Sequence, residues 1–347
     1  PICNVSAMKT ATKTNRCVVM DRRPPPGDVP LATWRVEDRA VPELADGEVL
    51  VRVDYVDVQP AMRGWLNENP AYTAPLAEGD VMRAQGVGEI IASRSTAIPV
   101  GEHVHGNLGV QSFCAVRDQP LTLLDLSLAP LPLFLSALGS SGMTAYFGLF
   151  DVGRIAAGET VVISSAAGAV GSVAGQIARL HGCKVIGIAG GPDKCRYLVD
   201  ELRFDGAVDY KQRDVYAQLK ALCPEGIDVY FDNVGGELLD IALLQLKKRA
   251  RIVISGMISQ YNATVPPPGP HFYGILLVRH ARMEGFLAFD YIDRYAEARA
   301  KITSWMRSGD VRSKELIVDG IDAFPDAFCM LLDGRSIGKL LLRVPHA

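Results

Sequence analysis

The chain has 347 residues, 48% of them hydrophobic and 22% charged, with a formal net charge of −3. That is the composition of a globular protein large enough for two cores. The near-neutral balance gives no electrostatic case for nucleic acid or an anionic membrane as partner, and no apolar run approaches the ~20 residues of a membrane span. Residues 1–16 are polar, lack the apolar stretch of a secretory signal and read as a loose tail, so a cytoplasmic location is expected. Seven cysteines, at positions 3, 17, 114, 183, 195, 223 and 329, form no CxxC pair. Reduced thiols are expected rather than a disulfide framework or a zinc knuckle.

In chain order, Pro24–Gly27 reads as a loop and residues 31–125 as β-rich. Strand candidates are Val49–Tyr55, Gly86–Ala92 and the stretch around Val100–Gly106. Turn residues punctuate these runs, which predicts a small barrel or folded sheet. From about residue 128 the texture changes. A helical stretch over Leu131–Leu149, broken near Gly139–Gly142, leads into the β-branched run Val161-Val162-Ile163. A glycine turn and the helical Val173–Leu180 follow, then a strand at Lys184–Ala189 and a helix at Lys194–Leu202. Further strands are expected at Gly206–Tyr210, Val229–Asp232 and Arg251–Ser255. Apolar strands alternating with helices mean βαβ units, a parallel sheet and right-handed crossovers. After a long helix around Asp293–Met306, strands at Leu316–Val318 and Leu340–Val344 are expected to return to the first domain. The expected fold is α/β: a doubly wound parallel sheet (residues 128–310) inserted in a β-rich domain (residues 1–127 and 311–347).

Residues 160–172, TVVISSAAGAVGS, carry the strongest signal. A buried strand, a glycine turn and a helix are what a dinucleotide needs. The turn must be tight, a phosphate must approach bare backbone, and the helix N-terminus must face the pyrophosphate. The close-packing positions are Ala166, Gly168 and Gly171, with alanine in place of the first glycine, and the turn Ala167-Gly168-Ala169-Val170-Gly171 is the candidate phosphate cradle. NAD binders usually place Asp or Glu about 20 residues further on. Here the second strand ends Ala189-Gly190-Gly191-Pro192, without an acid, which favours NADP: a carboxylate would repel a 2′-phosphate. Lys194 can supply positive charge, unless it is a solvated first-turn lysine, and Tyr210 a hydroxyl. Asp193 reads as a helix first-turn residue.

These residues, with several further stretches, resemble the zinc-independent medium-chain dehydrogenase/reductases. The resemblance is strongest to their NADPH-dependent double-bond reductase branch, which holds the leukotriene B4 dehydrogenase/prostaglandin reductases and the curcumin reductases. The stretches are Gln59–Gly64, Gly142–Tyr146, Ala166–Gly175, Asp232–Gly236, Ser255–Asn262 and Arg282–Phe286. The resemblance implies a GroES-like catalytic domain, a Rossmann domain, NADPH/NADP+ as cofactor, a homodimer, and reduction of a carbon–carbon double bond conjugated to a carbonyl. It matches Lys194 and Tyr210 to positions near the 2′-phosphate. It matches Asn233, Ser255, Gly256, Ile258, Ser259, Tyr261, Phe286, Leu287 and Ala288 to positions lining the adenosine and nicotinamide ends. Tyr261 matches a tyrosine proposed to help catalysis. Two departures stand out: Gln59-Pro60 where the family often reads Asp-Pro, and Ser336 where it usually has Asn before Gly-Lys. Ser336, kept as a cofactor contact, cannot offer an amide's donor and acceptor together.

Alcohol-oxidising relatives hold zinc so that an alkoxide forms. The corresponding region here, Val58–Arg63, has no Cys or His. His103-x-His105 share a strand face, with Cys114 as the only nearby third ligand, and read better as turn-flanking surface histidines. Without a metal, a preorganised hydroxyl must stabilise the enolate oxygen that develops as hydride reaches the β-carbon of an enone or enal. Tyr261 is the candidate donor, the alternative being a packing or cofactor-binding role. The expected substrate pocket takes Tyr55 (or a core aromatic), Met62, Arg63 (or a structural salt bridge) and Tyr273, the last on a loop, Pro266–Tyr273, that either closes over the pocket or serves as solvent loop or dimer contact. The expected partner is a small α,β-unsaturated carbonyl compound. Quinone reduction with the same cofactor, and NADPH binding without turnover, are the competing readings.

Overall fold

The computed structural model describes residues 14–68 and 73–346. The expected tail therefore lies outside the described residues up to residue 13, Cys3 included, but Thr14–Arg16 are not tail. They open a strand, β1 (Thr14–Met20), paired antiparallel with β2 (Trp34–Ala40). Its strands are joined not by a two-residue hairpin turn but by a loop of thirteen residues that contains Pro24–Gly27, which is why the sequence does not announce the pairing.

Next come β3 (Glu48–Asp57), β4 (Gln85–Ser93), β5 (His103–Asn107), β6 (Phe113–Arg117) and β7 (Thr122–Leu123). The expected strand at Val100–Gly106 begins only at His103, because Gly101 takes a left-handed conformation and turns the chain. The parallel layer follows: β8 (Thr160–Ile163), β9 (Lys184–Ala189), β10 (Gly206–Asp209), β11 (Ile227–Asp232), β12 (Leu246–Ile254) and β13 (Arg282–Gly285). Last are β14 (Glu315–Asp319) and β15 (Lys339–Arg343).

The two sheets reflect their sequences. Every residue of β8 is buried, the mark of a strand covered on both faces by helices. It sits in a six-stranded all-parallel sheet of order β10-β9-β8-β11-β12-β13. β3 belongs to a seven-stranded sheet of order β14-β15-β3-β4-β5-β7, with β6 also on β3. β15 runs antiparallel to β3, Leu341 facing Asp57, so the last strands complete the sheet begun near the N-terminus. The Lys339 ammonium and the Asp57 carboxylate, both buried, meet there at 2.9 Å.

Helices differ in detail from the sequence reading. The stretch expected at Leu131–Leu149 is a 3-10 turn (Leu131–Leu135), then an α-helix (Ser140–Phe147) that widens into a π-turn (Gly148–Val152). The helix after β9 is Pro192–Arg196, again widening at Tyr197–Glu201. The long C-terminal helix is Tyr295–Arg307.

Two expectations are corrected within the first sheet. Met62 and Arg63 open a short helix, Met62–Trp65, and both face inward. Met62 packs in the core with Val51, Val53 and Phe328. Arg63 makes no salt bridge: it donates to Asn262 Oδ1 (3.1 Å), Asn67 Oδ1 (2.9 Å) and the carbonyls of Pro25 (3.3 Å) and Gly27 (3.0 Å). It therefore staples three chain segments together. His103 and His105 are half-buried ladder residues of β5, His103 opening the strand after the Gly101 turn. Burial pushes the His105 imidazole down to about 4, with Arg299 and Lys339 adding repulsion. Among the described residues no three His, Cys, Asp or Glu side chains stand together so as to hold a metal ion.

The sign of the His105 shift sets a pH dependence. Below its ordinary value of 6.5 the unfolded chain takes up a proton that the folded chain refuses until about 4. Stability is therefore fully present above pH 6.5 and declines as the pH falls toward 4. Urea midpoints at pH 7 and pH 5 should differ less in His105→Gln than in the parent protein. An equal difference in both would remove His105 as the cause.

Candidate functional site

β8, β9 and β10 run outward in one direction, and β11, β12 and β13 in the other. The strand order reverses between β8 and β11, and ligands of open parallel sheets bind outside the carboxyl ends at such a point. A cavity of about 900 Å³ opens there, bounded also by Gln59, Pro60, Ala61 and Trp65 and by the C-terminal run Gly334–Leu340. It is thus shared between the two sheets.

The turn Ala167–Gly171 forms one wall. Helix Ala169–Leu180 starts with Gly168 as its N-cap, extended in backbone and with no side chain to occupy the first N–H groups. Those groups and the positive end of the helix dipole are left for an anion. Gly171 is required by close packing: a Cβ there would stand 2.6 Å from the Ser165 carbonyl oxygen and 2.7 Å from Ala166 Cα.

At one end of the cavity, Lys194 donates to the Gly334 carbonyl at 2.6 Å and is half-buried. Burial first, and the neighbouring Lys211 second, hold its ammonium below the ordinary lysine value. Tyr210 lies against Gly190, where a Cβ would come within 2.8 Å of the ring and its hydroxyl. A cation, a hydroxyl and bare backbone therefore surround one spot; the carboxylates that also line the cavity here, Asp333 and Asp214, are engaged by Arg335 and by the Ala217 N–H. Asp193 is in the first helical turn, exposed and paired with Arg196.

At the other end, one buried carboxylate organises the wall. Asp232 closes β11 with no solvent exposure. Its Oδ1 accepts from Ser164 Oγ (2.8 Å), Val234 N (2.9 Å) and Gly235 N (3.0 Å). Ser164 Oγ in turn accepts from Asn233 N at 2.8 Å. The Asn233 amide donates to the Ser164 carbonyl (2.7 Å) and accepts from Ser255 Oγ (2.8 Å). Burial raises the Asp232 carboxyl, and the hydrogen bonds to it oppose that shift. Its Oδ2 and the buried Tyr230 hydroxyl make no hydrogen bond of ordinary geometry, yet lie near enough to influence each other's protonation.

The loop after β12 rests on this assembly. Ser255 N and Gly256 N donate to the Asp232 carbonyl, Ile258 N to Asn233 and Ser259 N to Val234. Tyr261 follows on the same loop, and its hydroxyl is 3.7 Å from where a Gly256 Cβ would be. The wall brings together Asn233, Ser255, Gly256, Ile258, Ser259, Tyr261, Phe286, Leu287, Ala288 and Ser336.

The remaining pocket residues lie elsewhere. Tyr55 packs against the larger core, and Met62 and Arg63 are internal, so the cavity meets their neighbours Ala61 and Trp65 instead. Tyr273 is 68% exposed and off the wall. No residue of Pro266–Tyr273 lines the cavity; the segment is tied sideways, His271 to Asp240 at 2.7 Å. Ser140, Ser141 and Thr144 were not anticipated on the wall. Their signal was the break at Gly139–Gly142, which marks a helix N-terminus and not merely an interruption.

Two family models match: the N-terminal domain of oxidoreductase over residues 16–124 and zinc-binding dehydrogenase over residues 169–304. The zinc of the second description has no ligand set among the described residues. The chain is 43% identical over 314 residues to the putative NADP-dependent oxidoreductase YfmJ of Bacillus subtilis, covering 90% of this chain and 92% of that protein. It is 37% identical over 335 residues to the NADPH-dependent curcumin reductase of Escherichia coli, covering 95% and 97%. The crystal structure of CurA from Vibrio vulnificus in complex with NADPH superposes with a TM-score of 0.91 at 37% identity, over 96% of this chain and all of that one. The glycine turn, open helix end and Lys194–Tyr210 corner fit such a cofactor. The chain belongs to the medium-chain dehydrogenase/reductase family, in the branch of NADP-dependent oxidoreductases that includes the curcumin and prostaglandin reductases.

Proposed function

We propose that this protein reduces the carbon–carbon double bond of α,β-unsaturated carbonyl compounds with NADPH. The observation that carries the reading is Tyr261: a hydroxyl presented on the cavity wall at the strand-order reversal, beside apolar surface from Trp65, Phe286 and Leu287. The relatives named curcumin and prostaglandin reductases support it.

The cofactor's pyrophosphate is assigned to the backbone of Gly168–Gly171, its 2′-phosphate to Lys194 and Tyr210, and its other contacts to Asn233, the Ser255–Ser259 run, Phe286–Ala288 and Ser336. When bound, NADPH supplies a hydride. The chain's own contribution is to hold the enone flat in the apolar part of the cavity and to aim a donor at its carbonyl oxygen. As charge builds on that oxygen, the Tyr261 O–H donates to it, directly or through a ribose hydroxyl. That bond strengthens in the transition state. The α-carbon then takes a proton from water or from Tyr261.

The homodimer is assigned to the face carrying Tyr273, Leu277 and Val278, all exposed apolar side chains just before the open edge strand β13. Six unpaired cysteines among the described residues support a reducing, cytoplasmic setting.

NADPH absorbance should fall with an alkenal or aryl enone and stay constant with a saturated aldehyde. Consumption with a quinone alone would replace this reading by quinone reduction, and binding without any turnover would replace it by a sensor role. Tyr261→Phe should lower kcat about 100-fold while NADPH still binds; unchanged turnover would remove the tyrosine from the chemistry. Lys194→Ala should weaken NADPH about 10-fold and leave NADH unaffected, as measured by titration calorimetry. Leu277→Asp should sediment as a monomer; a persisting dimer would move the contact elsewhere.

A further inference from the structure

The Asp232 side chain touches neither the cavity nor the surface, yet the wall that carries Tyr261 depends on it through a short chain of bonds. Its Oδ1 gathers three donors from two strand ends: the Ser164 hydroxyl beyond β8, and the Val234 and Gly235 N–H groups beyond β11. Those bonds fix the turn 233–235, in which Gly235 takes positive φ, as does Gly236 directly after it. The loop after β12 is then seated on that turn. Ile258 N bonds the Asn233 carbonyl at 3.2 Å, and the Val234 carbonyl accepts from Ser259 N (3.2 Å) and Ser259 Oγ (2.6 Å). Tyr261 comes two residues later, its N–H on the Ile258 carbonyl. A buried acceptor shared by three donors leaves each of them costly to orphan, so the arrangement is held in one geometry.

We propose that Asp232 is a positioning residue for the reduction: its carboxylate latches the ends of β8 and β11 and thereby sets the turn on which the Tyr261 loop sits. The inference rests on the proposed role of Tyr261. The function of the side chain is that of an acceptor at Oδ1. Asparagine meets the same demand, since its amide oxygen takes the Oδ1 place and its NH2 falls on the Oδ2 place, beside a Tyr230 hydroxyl able to accept. Alanine does not. The pyrophosphate cradle at Gly168–Gly171 has bonds of its own, Gly168 N to the Ser165 carbonyl at 3.0 Å among them, whereas the cofactor contacts proposed at Asn233 and Ser255–Ser259 sit on the latch, so cofactor affinity falls with it by less than turnover does.

The test is a mutant cycle of Asp232→Ala and Asp232→Asn, each with and without Tyr261→Phe, in the full chain. Enone turnover, NADPH affinity and amide hydrogen exchange of the cofactor-free protein are read in each. Expected for Asp232→Ala are a kcat at saturating NADPH about tenfold lower, an NADPH Kd raised by a smaller factor than that, and faster exchange over residues 233–235 and 258–259. Asp232→Asn should restore both rate and protection. In the Tyr261→Phe background the Asp232→Ala slowing should vanish, because the group it positions is gone. Multiplicative slowing in the double variant, or unchanged exchange in a folded Asp232→Ala, overturns the inference. Parent-like turnover by Tyr261→Phe alone overturns the tyrosine reading and this inference with it, and is visible without any Asp232 variant. Should Asp232→Ala fail to fold, Ser164→Ala removes the hydroxyl that bonds the Asp232 carboxylate and accepts from Asn233 N, and takes its place in the same cycle, with the same expected and contrary results.

Discussion

The site depends on how two neighbouring parallel strands, β8 and β11, are joined where their connections diverge. Backbone leaves a crevice there, because each strand hands its chain to a different side of the sheet. A crevice lined by unpaired backbone would be costly unless something satisfied it. On the β8 side the solution is a glycine turn running into a helix, packed so closely that Gly171 has no room for a Cβ. On the β11 side it is a buried carboxylate with three donors. The bond from Ser164 to Asp232 connects the two solutions, so the phosphate-binding wall and the tyrosine-bearing wall share one anchor.

The two ends of the cavity differ in electrostatic character. Near Lys194 a half-buried cation bonds a backbone carbonyl, while the wall carboxylate Asp333 pairs with Arg335. Near Tyr261 the donors are neutral hydroxyls and amides; Asp232 is sealed below the surface, and the carboxylate on the wall, Glu237, is exposed to solvent. That separation suits a cofactor anchored by charge at one end and a reaction managed by a hydroxyl at the other. The second sheet closes the cavity through Gln59–Ala61 and Trp65 and through the strand that returns from the C-terminus. The Lys339–Asp57 pair sits at that closure. A buried ion pair is weak support for stability, since desolvation offsets most of its attraction, but it constrains how β15 lies on β3.

Much of this was legible in the sequence where the determining forces are local. The glycine turn declares itself because tight backbone packing restricts residue type, and the all-apolar run of β8 declares a strand covered on both faces. The resemblance stretches named Asn233, the Ser255–Tyr261 loop and Phe286–Ala288, which the structure brings onto one cavity wall. What was not legible depended on facing. Met62 and Arg63 lie beside Ala61 and Trp65, but which of the four reaches the cavity is decided by one turn of helix and by packing against Phe328. Tyr273 follows a proline-rich segment that suggested a lid, yet bonds from His271 and Phe272 to the Asp240 carboxylate hold the segment away. The β1–β2 ribbon lacked a two-residue hairpin turn, its Pro24–Gly27 turn residues lying inside a thirteen-residue loop, and His105 was read as exposed because alternation along a five-residue strand does not say which face is covered. Asp232 was noticed only as part of a stretch, since nothing in DNVGG distinguishes a latch from a solvent-facing turn.

The central claim is that hydride goes to the β-carbon of a conjugated carbonyl while Tyr261 manages the oxygen. Its most direct test is reduction of an enone with NADPH deuterated at nicotinamide C4, followed by NMR of the product. The account predicts deuterium at the β-carbon with the carbonyl intact, and a solvent-derived proton at the α-carbon. Deuterium on the carbonyl carbon, giving an allylic alcohol, would contradict it.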